Sequence, residues 1–292
     1  NGILIIKFFN KKYMHIDLKI ISRWSSLAWS CFFILFYIWT MPENYSEAED
    51  VYNYAFLIEQ DLLQKQLGIN RLLALPFFSV LYNFIIDVGF EISAFSFVLH
   101  LNQLLAVGSL LIFRLILFGQ LSRNYNKDDA NKMSWIGVLL LAFSYGFWRY
   151  SSIPETYILA IFVLCLAWLF VLNERYLLGS ILSGLGILIH LLNIIPLIIG
   201  VCSYYLFQKK IKIAFIHGCI STMIIVIGYG LFWKMLDISG LAAKNHAIES
   251  GWQIQNFIRG SIAFAQCLIS GNFLLGFDWF NNFLTDLFPS RM

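Results

Sequence analysis

Charge is scarce in this chain of 292 residues: 13% are Asp, Glu, Lys or Arg, against 59% hydrophobic. An ordinary soluble domain is about a quarter charged, so so few ionised side chains cannot cover a globule of this size and a water-soluble fold is excluded. The formal net charge of +3 is too small to point to a polyanionic partner, and no nucleic acid is expected. The five cysteines (Cys31, Cys165, Cys202, Cys219, Cys267) form no CxxC pair and no zinc or haem spacing. Most lie in apolar stretches and read as small buried hydrophobes. A soluble domain and a fixed-period repeat are both missing.

What the sequence has is apolar blocks. Mean hydropathy is +0.72, concentrated in 24–41, 72–88, 93–118, 133–148, 156–172, 176–191, 194–208 and 211–234. A bilayer-crossing helix takes roughly 20 such residues. Backbone groups in lipid must pair internally, so the blocks are predicted to be helices. Lys and Arg gather in short cytoplasmic loops. Lys7, Lys11, Lys12, Lys19 and Arg23 precede the first block and set the N-terminus inside. The other basic loops hold Arg123, Lys127 and Lys132, then Arg175, then Lys209, Lys210 and Lys212. All fall inside only if 72–88, which carries Pro76, Asn83 and Asp87, does not cross. The expected fold is therefore an all-α, polytopic transmembrane helical bundle of about seven spans plus a juxtamembrane helix in the first outer loop. It divides into a cytoplasmic segment 1–23, a transmembrane module 24–234 and a non-cytoplasmic amphipathic tail 235–292. Met14 opens a plausible start, which would make 1–13 upstream translation, and the ending at Phe288–Met292 lacks a basic flank or final span, as in a truncated chain. Multi-pass insertion in the plasma membrane is expected.

This topology sorts the polar residues onto an outer face. The first outer stretch is acidic, with Glu43, Glu47, Glu49, Asp50, Glu59 and Asp61. A carboxylate held there suits a general base; equally, Ser46 and Glu49 have the spacing of a capping box. The next outer turn runs Trp148-Arg149-Tyr150-Ser151-Ser152-Ile153-Pro154-Glu155-Thr156-Tyr157. It reads either as an aromatic belt with Glu155 at a helix N-terminus and Pro154 in the first turn, or as one wall of a pocket shared with Asp50. His190 ends the block that begins Gly184-Leu185-Gly186, and Asn193 and Pro196 turn the chain back. Asn102 and Gln103 are expected to join helices, and Arg114 to snorkel to the cytoplasmic edge.

Together these residues resemble the GT-C superfamily of integral-membrane glycosyltransferases, over about 27–234. Asp50-Val51-Tyr52-Asn53-Tyr54-Ala55 is similar to the D-E-x-x-Y-A segment of the protein mannosyltransferase and aminoarabinose-transferase branch. A proline-bearing juxtamembrane helix follows, as in that branch. Phe147-Trp148-Arg149-Tyr150-Ser151 with Glu155-Thr156-Tyr157 resembles the FW-x-YS … E-x-Y turn of bacterial members, and Gly184 to His190 their GLA-x-x-x-H span end. Val51 stands where the family has a second acid, and the lysine-proline-proline stretch is absent. A two-carboxylate or metal-assisted site is thereby placed in doubt.

The resemblance implies inverting transfer of a sugar from a polyprenyl-phosphate donor to an acceptor hydroxyl on the non-cytoplasmic face, with glycan, lipid or protein as acceptor and membrane lipid as partner. Asp50 would be the general base, with Glu49 and Glu155 as further acids. Arg149 would face the departing phosphate, with His190 as a second candidate. Tyr54, Trp148 and Tyr157 would line the sugar or lipid path. No cofactor is implied, and one firm acid gives a divalent metal little to bind. Two other readings fit the same hydropathy: a polytopic transporter of a small solute or lipid-linked substrate, whose mark would be broken helices and charges deep in spans, and a catalytically inactive GT-C-like assembly protein.

Overall fold

The computed structural model describes residues 24–41, 49–60 and 71–235, and among them all regular structure is helical. The helices are α1 (Trp24–Trp39), α2 (Glu49–Glu59), α3 (Ala74–Asp87), α4 (Ala94–Leu121), α5 (Lys127–Ala142), α6 (Tyr145–Ser151), α7 (Tyr157–Leu172), α8 (Tyr176–Ile189), α9 (Val201–Phe207) and α10 (Ile211–Met235). A 3₁₀ turn (Leu191–Asn193) and a π-helical turn (Ile195–Gly200) join α8 to α9. Every apolar block carries helix. The segments 1–23 and 236–292, with Cys267, and Ser46 of the proposed capping box lie outside the described residues.

Among the described residues two helical stretches, Ala94–Leu121 and Ile211–Leu231, are long and apolar enough to cross a membrane, with mean hydropathy 2.1 and 2.0. Five shorter apolar stretches accompany them: Ser26–Trp39, Ala74–Asp87, Tyr157–Leu172, Tyr176–Ile189 and Leu191–Phe207. At 14 residues α3 rises about 21 Å, less than the roughly 30 Å hydrocarbon layer.

Local sequence sets the helix ends. Ser93, in extended backbone, accepts the Ser96 N–H at 3.2 Å to start α4. Asn126 accepts the Asp129 N–H at 2.8 Å to start α5, with Asp128 and Asp129 in the first turn beside the positive end of the helix dipole. α7 and α9 stop at Glu174 and Lys209, both in the left-handed region at φ 60°. In each the following N–H bonds back one turn, Arg175 to Phe170 and Lys210 to Tyr205, at 2.9 Å. Lys210 then pairs with Glu174 at 2.6 Å, tying the two caps together.

The long α4 is the axis. Near its start, Ala94 and Val98 pack with Leu57 and Ile58 of α2, Phe78 of α3 and Leu159 of α7. Farther along, Ala106, Val107 and Leu110 pack with Phe33 and Tyr37 of α1, Val138 of α5 and Ile158 of α7. On the other flank α8 and α10 meet closely: a Cβ on Gly184 would lie 2.8 Å from Ile224 Cβ and 3.1 Å from the Ser221 carbonyl oxygen. Large apolar side chains such as Val80, Leu140 and Phe215 point outward, as on a lipid-facing surface.

Three expectations change. Arg114 does not snorkel. It is buried, donates to Ser26 Oγ at 2.9 Å and Asn131 Oδ1 at 2.8 Å, and lies over the Trp135 ring at 4.2 Å. Three helices thus share one guanidinium, which supplies a donor to the Ser26 hydroxyl and another to the Asn131 amide oxygen. Of the described cysteines only Cys165 is buried, while Cys31 and Cys219 face outward. Pro154 precedes α7 by three residues rather than sitting in its first turn, because the chain bends through 152–156 before helix begins at Tyr157.

Candidate functional site

The site lies where the start of α7, the end of α8, the segment before α3 and the helix α2 meet. The 151–156 turn comes first. It is buried throughout, so its backbone polar groups need partners. Asn102 of α4, fully buried, supplies them: its Nδ2 donates to the Ile153 carbonyl at 2.9 Å and the Glu155 carbonyl at 2.6 Å. The expected inter-element role of Asn102 is therefore aimed at this turn. Glu155, 6% exposed, turns Oε2 back to accept the Thr156 N–H at 3.0 Å, just ahead of α7.

Arg71 meets that carboxylate at 3.4 Å. It is placed by the Leu73 N–H, which donates to the Leu188 carbonyl at 3.0 Å and pins the chain before α3 to the end of α8. The Arg71 guanidinium also bonds the Tyr54 hydroxyl and lies over two rings, 5.3 Å from the centroid of Tyr54 and 5.3 Å from that of Tyr157. Such stacking favours arginine over lysine. Tyr157 continues the stack, 4.4 Å from Tyr150 on one side and 4.7 Å from His190 on the other.

His190 caps α8. Its Nδ1 accepts the Leu192 N–H at 3.3 Å, so the neutral ring carries its hydrogen on Nε2. Burial, reinforced by the Arg71 charge, pushes its pKa down to about 4. The imidazole is neutral at pH 7 and offers one N–H donor. Asn193 completes the bend, donating to the carbonyls of Ala160 at 3.2 Å and Gly186 at 3.0 Å.

Of the residues singled out from sequence, the structure brings together Tyr54, Glu155, Tyr157 and His190. Glu49 and Asp50 open α2, one helical turn before Tyr54, but their side chains lie outside the described residues. Trp148 turns the other way and donates its indole N–H to Thr40 Oγ1 at 2.8 Å. Arg149 sits half-buried in the last turn of α6, while the cation between Tyr54, Glu155 and Tyr157 is Arg71. Sequence reasoning passed over Arg71. The available signal was its position: a lone arginine directly before the apolar block 72–88.

A guanidinium held between two aromatic faces, with one carboxylate and one neutral imidazole N–H close by, can bind a phosphate or carboxylate of a ligand by charge-assisted hydrogen bonds. No group of three or more His, Cys, Asp or Glu suited to a metal ion occurs among the described residues. Comparison with family models, with curated proteins and with solved structures gives no match.

Proposed function

We propose that this chain is a membrane glycosyltransferase that moves a sugar from a polyprenyl-phosphate donor to an acceptor hydroxyl at the non-cytoplasmic end of its helix bundle. The observation that carries the reading is the meeting of Arg71, Tyr54, Glu155, Tyr157 and His190 at one end of the bundle. The acceptor oxygen attacks the anomeric carbon, and the bond from that carbon to the phosphate oxygen breaks with inversion. The electron pair leaves with polyprenyl phosphate, and the hydroxyl proton passes to Asp50 as general base. Charge grows on the leaving phosphate, and a preorganised cation beside it lowers the barrier. That role passes from Arg149 to Arg71, with the His190 Nε2–H as a second donor. Glu155 keeps the guanidinium oriented, and the tyrosine faces take the sugar. The seven-span, N-terminus-inside topology belongs to the same proposal, because it places residues 42–71, the 149–155 turn and His190 on one side.

The test is transfer from radiolabelled polyprenyl-phosphate sugar by the purified chain in lipid, alongside Asp50→Asn. Turnover that falls about 10²- to 10⁴-fold in Asp50→Asn supports the assignment. Full turnover in the variant removes Asp50 from the base role. Binding without turnover identifies an inactive shell, and neither binding nor turnover points to a transporter. The observation on the transporter side is the break in helix at 190–200 together with the fully buried His217 inside α10, since ionisable groups within spans mark ion pathways.

A further inference from the structure

His217 lies in the apolar stretch Ile211–Leu231 and is 0% exposed. Both ring nitrogens have partners: Nδ1 is 2.9 Å from Ser180 Oγ on α8, and Nε2 is 2.9 Å from the carbonyl oxygen of Leu197. A carbonyl oxygen only accepts, so Nε2 bears a hydrogen whatever the charge of the ring. Ser180 Oγ has a second neighbour, the Tyr176 carbonyl oxygen at 2.6 Å, which also only accepts. One hydroxyl hydrogen therefore has two acceptors within reach.

Two complete arrangements follow. With a neutral ring, the Ser180 hydroxyl donates to Nδ1. With a protonated ring, Nδ1–H donates to Ser180 Oγ and the hydroxyl swings to the Tyr176 carbonyl. Neither leaves a nitrogen of His217 unbonded, and they differ by rotation about one C–O bond with no heavy atom displaced. We propose that His217 and Ser180 form a proton-binding site within the bundle, loaded from the α8 end that carries Tyr176. The ligand is a proton from water, taken up on Nδ1. Ser180 lies one turn, about 6 Å, from Tyr176, which is 43% exposed.

The surroundings suit this role. Leu197 belongs to the π-helical turn, a rare geometry that concentrates at functional sites. Ser221 donates to the Ser180 carbonyl at 3.0 Å and fixes α8 against α10 beside the pair. The titratable groups on the elements packed there are Tyr157 and Cys165 on α7, Tyr176 on α8, Cys202, Tyr204 and Tyr205 on α9, and Lys212, Cys219, Tyr229 and Lys234 on α10. Tyr205 sets its ring edge-on at 6.0 Å from His217, and its buried hydroxyl has no hydrogen-bond partner among the described residues. These elements carry no carboxylate; the nearby Glu174 is bonded to Lys210. The added proton is thus held by oxygen acceptors rather than by a counter-charge.

Nitrogen-15 NMR of the imidazole rings in the lipid-reconstituted chain tests the site. The His217 signals are identified by their loss in His217→Asn or, if that variant does not fold, by their contact with labelled Leu197. Over roughly pH 3 to 9, the ring is expected to pass reversibly from one N–H to two on acidification. Ser180→Ala removes the acceptor of the charged form, so the midpoint should fall by about one pH unit. A ring that keeps a single N–H across the range, or a midpoint that Ser180→Ala leaves in place, overturns the proposal. Neither result bears on Asp50 or Arg71, so the site stands or falls separately from glycosyl transfer.

Discussion

The guanidinium of Arg71 lies over the ring of Tyr157, 5.3 Å from its centroid, and so joins the segment before α3 to the first residue of α7. The same guanidinium faces Glu155 at 3.4 Å. Planarity is what allows one cation to stack on an aromatic face and meet a carboxylate at its edge.

Arg71→Lys tests that geometry. A lysine keeps the charge and loses the stack and the fork. With glycosyl transfer as the activity, kcat/KM should drop about 10²- to 10³-fold, the range seen when one donor to a developing anion is lost. A lysine variant with near-normal kcat/KM would show that charge alone suffices and that the stacked plane is incidental.

Asn102→Ala should be costly although it touches no ligand. It strips the Glu155 carbonyl of the amide that reaches it at 2.6 Å, and takes one of two donors from the Ile153 carbonyl, which keeps the Glu155 N–H at 2.9 Å. Leaving a buried acceptor unpaired costs about 2 kcal/mol. Ser152→Ala is the control: that buried hydroxyl has no hydrogen-bond partner among the described residues, and its removal should change stability by less than about 0.5 kcal/mol. Chemical unfolding in detergent, read by tryptophan fluorescence, compares the two.

Acid should loosen the same end of the bundle. The His190 pKa is about 4 when folded against an ordinary 6.5, so between those values the unfolded chain binds the proton more tightly. Stability from His190 is complete above pH 6.5 and is lost as pH falls toward 4, by up to about 3 kcal/mol. Thermal melts through that window should show the loss, and His190→Gln should flatten it. An unchanged slope in the variant would assign the acid sensitivity to another group.

Gly184→Val probes the approach of α8 to α10. A Cβ there meets Ile224 at 2.8 Å and the Ser221 backbone at 3.1 Å, and the backbone contact cannot be relieved by a rotamer change. Overpacking of this kind costs about 1–3 kcal/mol. Gly230→Ala, where nothing lies within 4 Å, should be tolerated, and parallel melts of the two variants check the contrast.

Much of this was legible in the sequence, for identifiable reasons. Apolar run length predicts helix because backbone in lipid has no other partner, and each of the eight blocks carries helix. The pattern of carboxylate, aromatic and histidine at block ends picked out Glu155, Tyr157 and His190, and the likeness of Asp50–Ala55 to a D-E-x-x-Y-A segment picked out Tyr54. Position within a block says nothing of what a side chain meets, however. Arg114 near the end of α4 looked free to reach water, yet its neighbours Ser26 and Asn131 come from two other helices. Arg149 was chosen as the cation and Arg71 passed over, since the Leu73–Leu188 backbone bond that holds the segment bearing Arg71 beside the stack is a tertiary contact.

The sequence by itself determined that the apolar blocks are helical and that charge is scarce along the chain, because both follow from additive quantities: run length, charge content and backbone hydrogen-bond need. Tertiary structure alone decided which polar residues meet. Helix rotation and the bends at 152–156 and 190–200 set those meetings, and a rotation of a third of a turn is invisible to hydropathy. The packing of α8 on α10 puts His217 against Ser180, and the Leu73–Leu188 bond holds the segment that sets Arg71 against Tyr157.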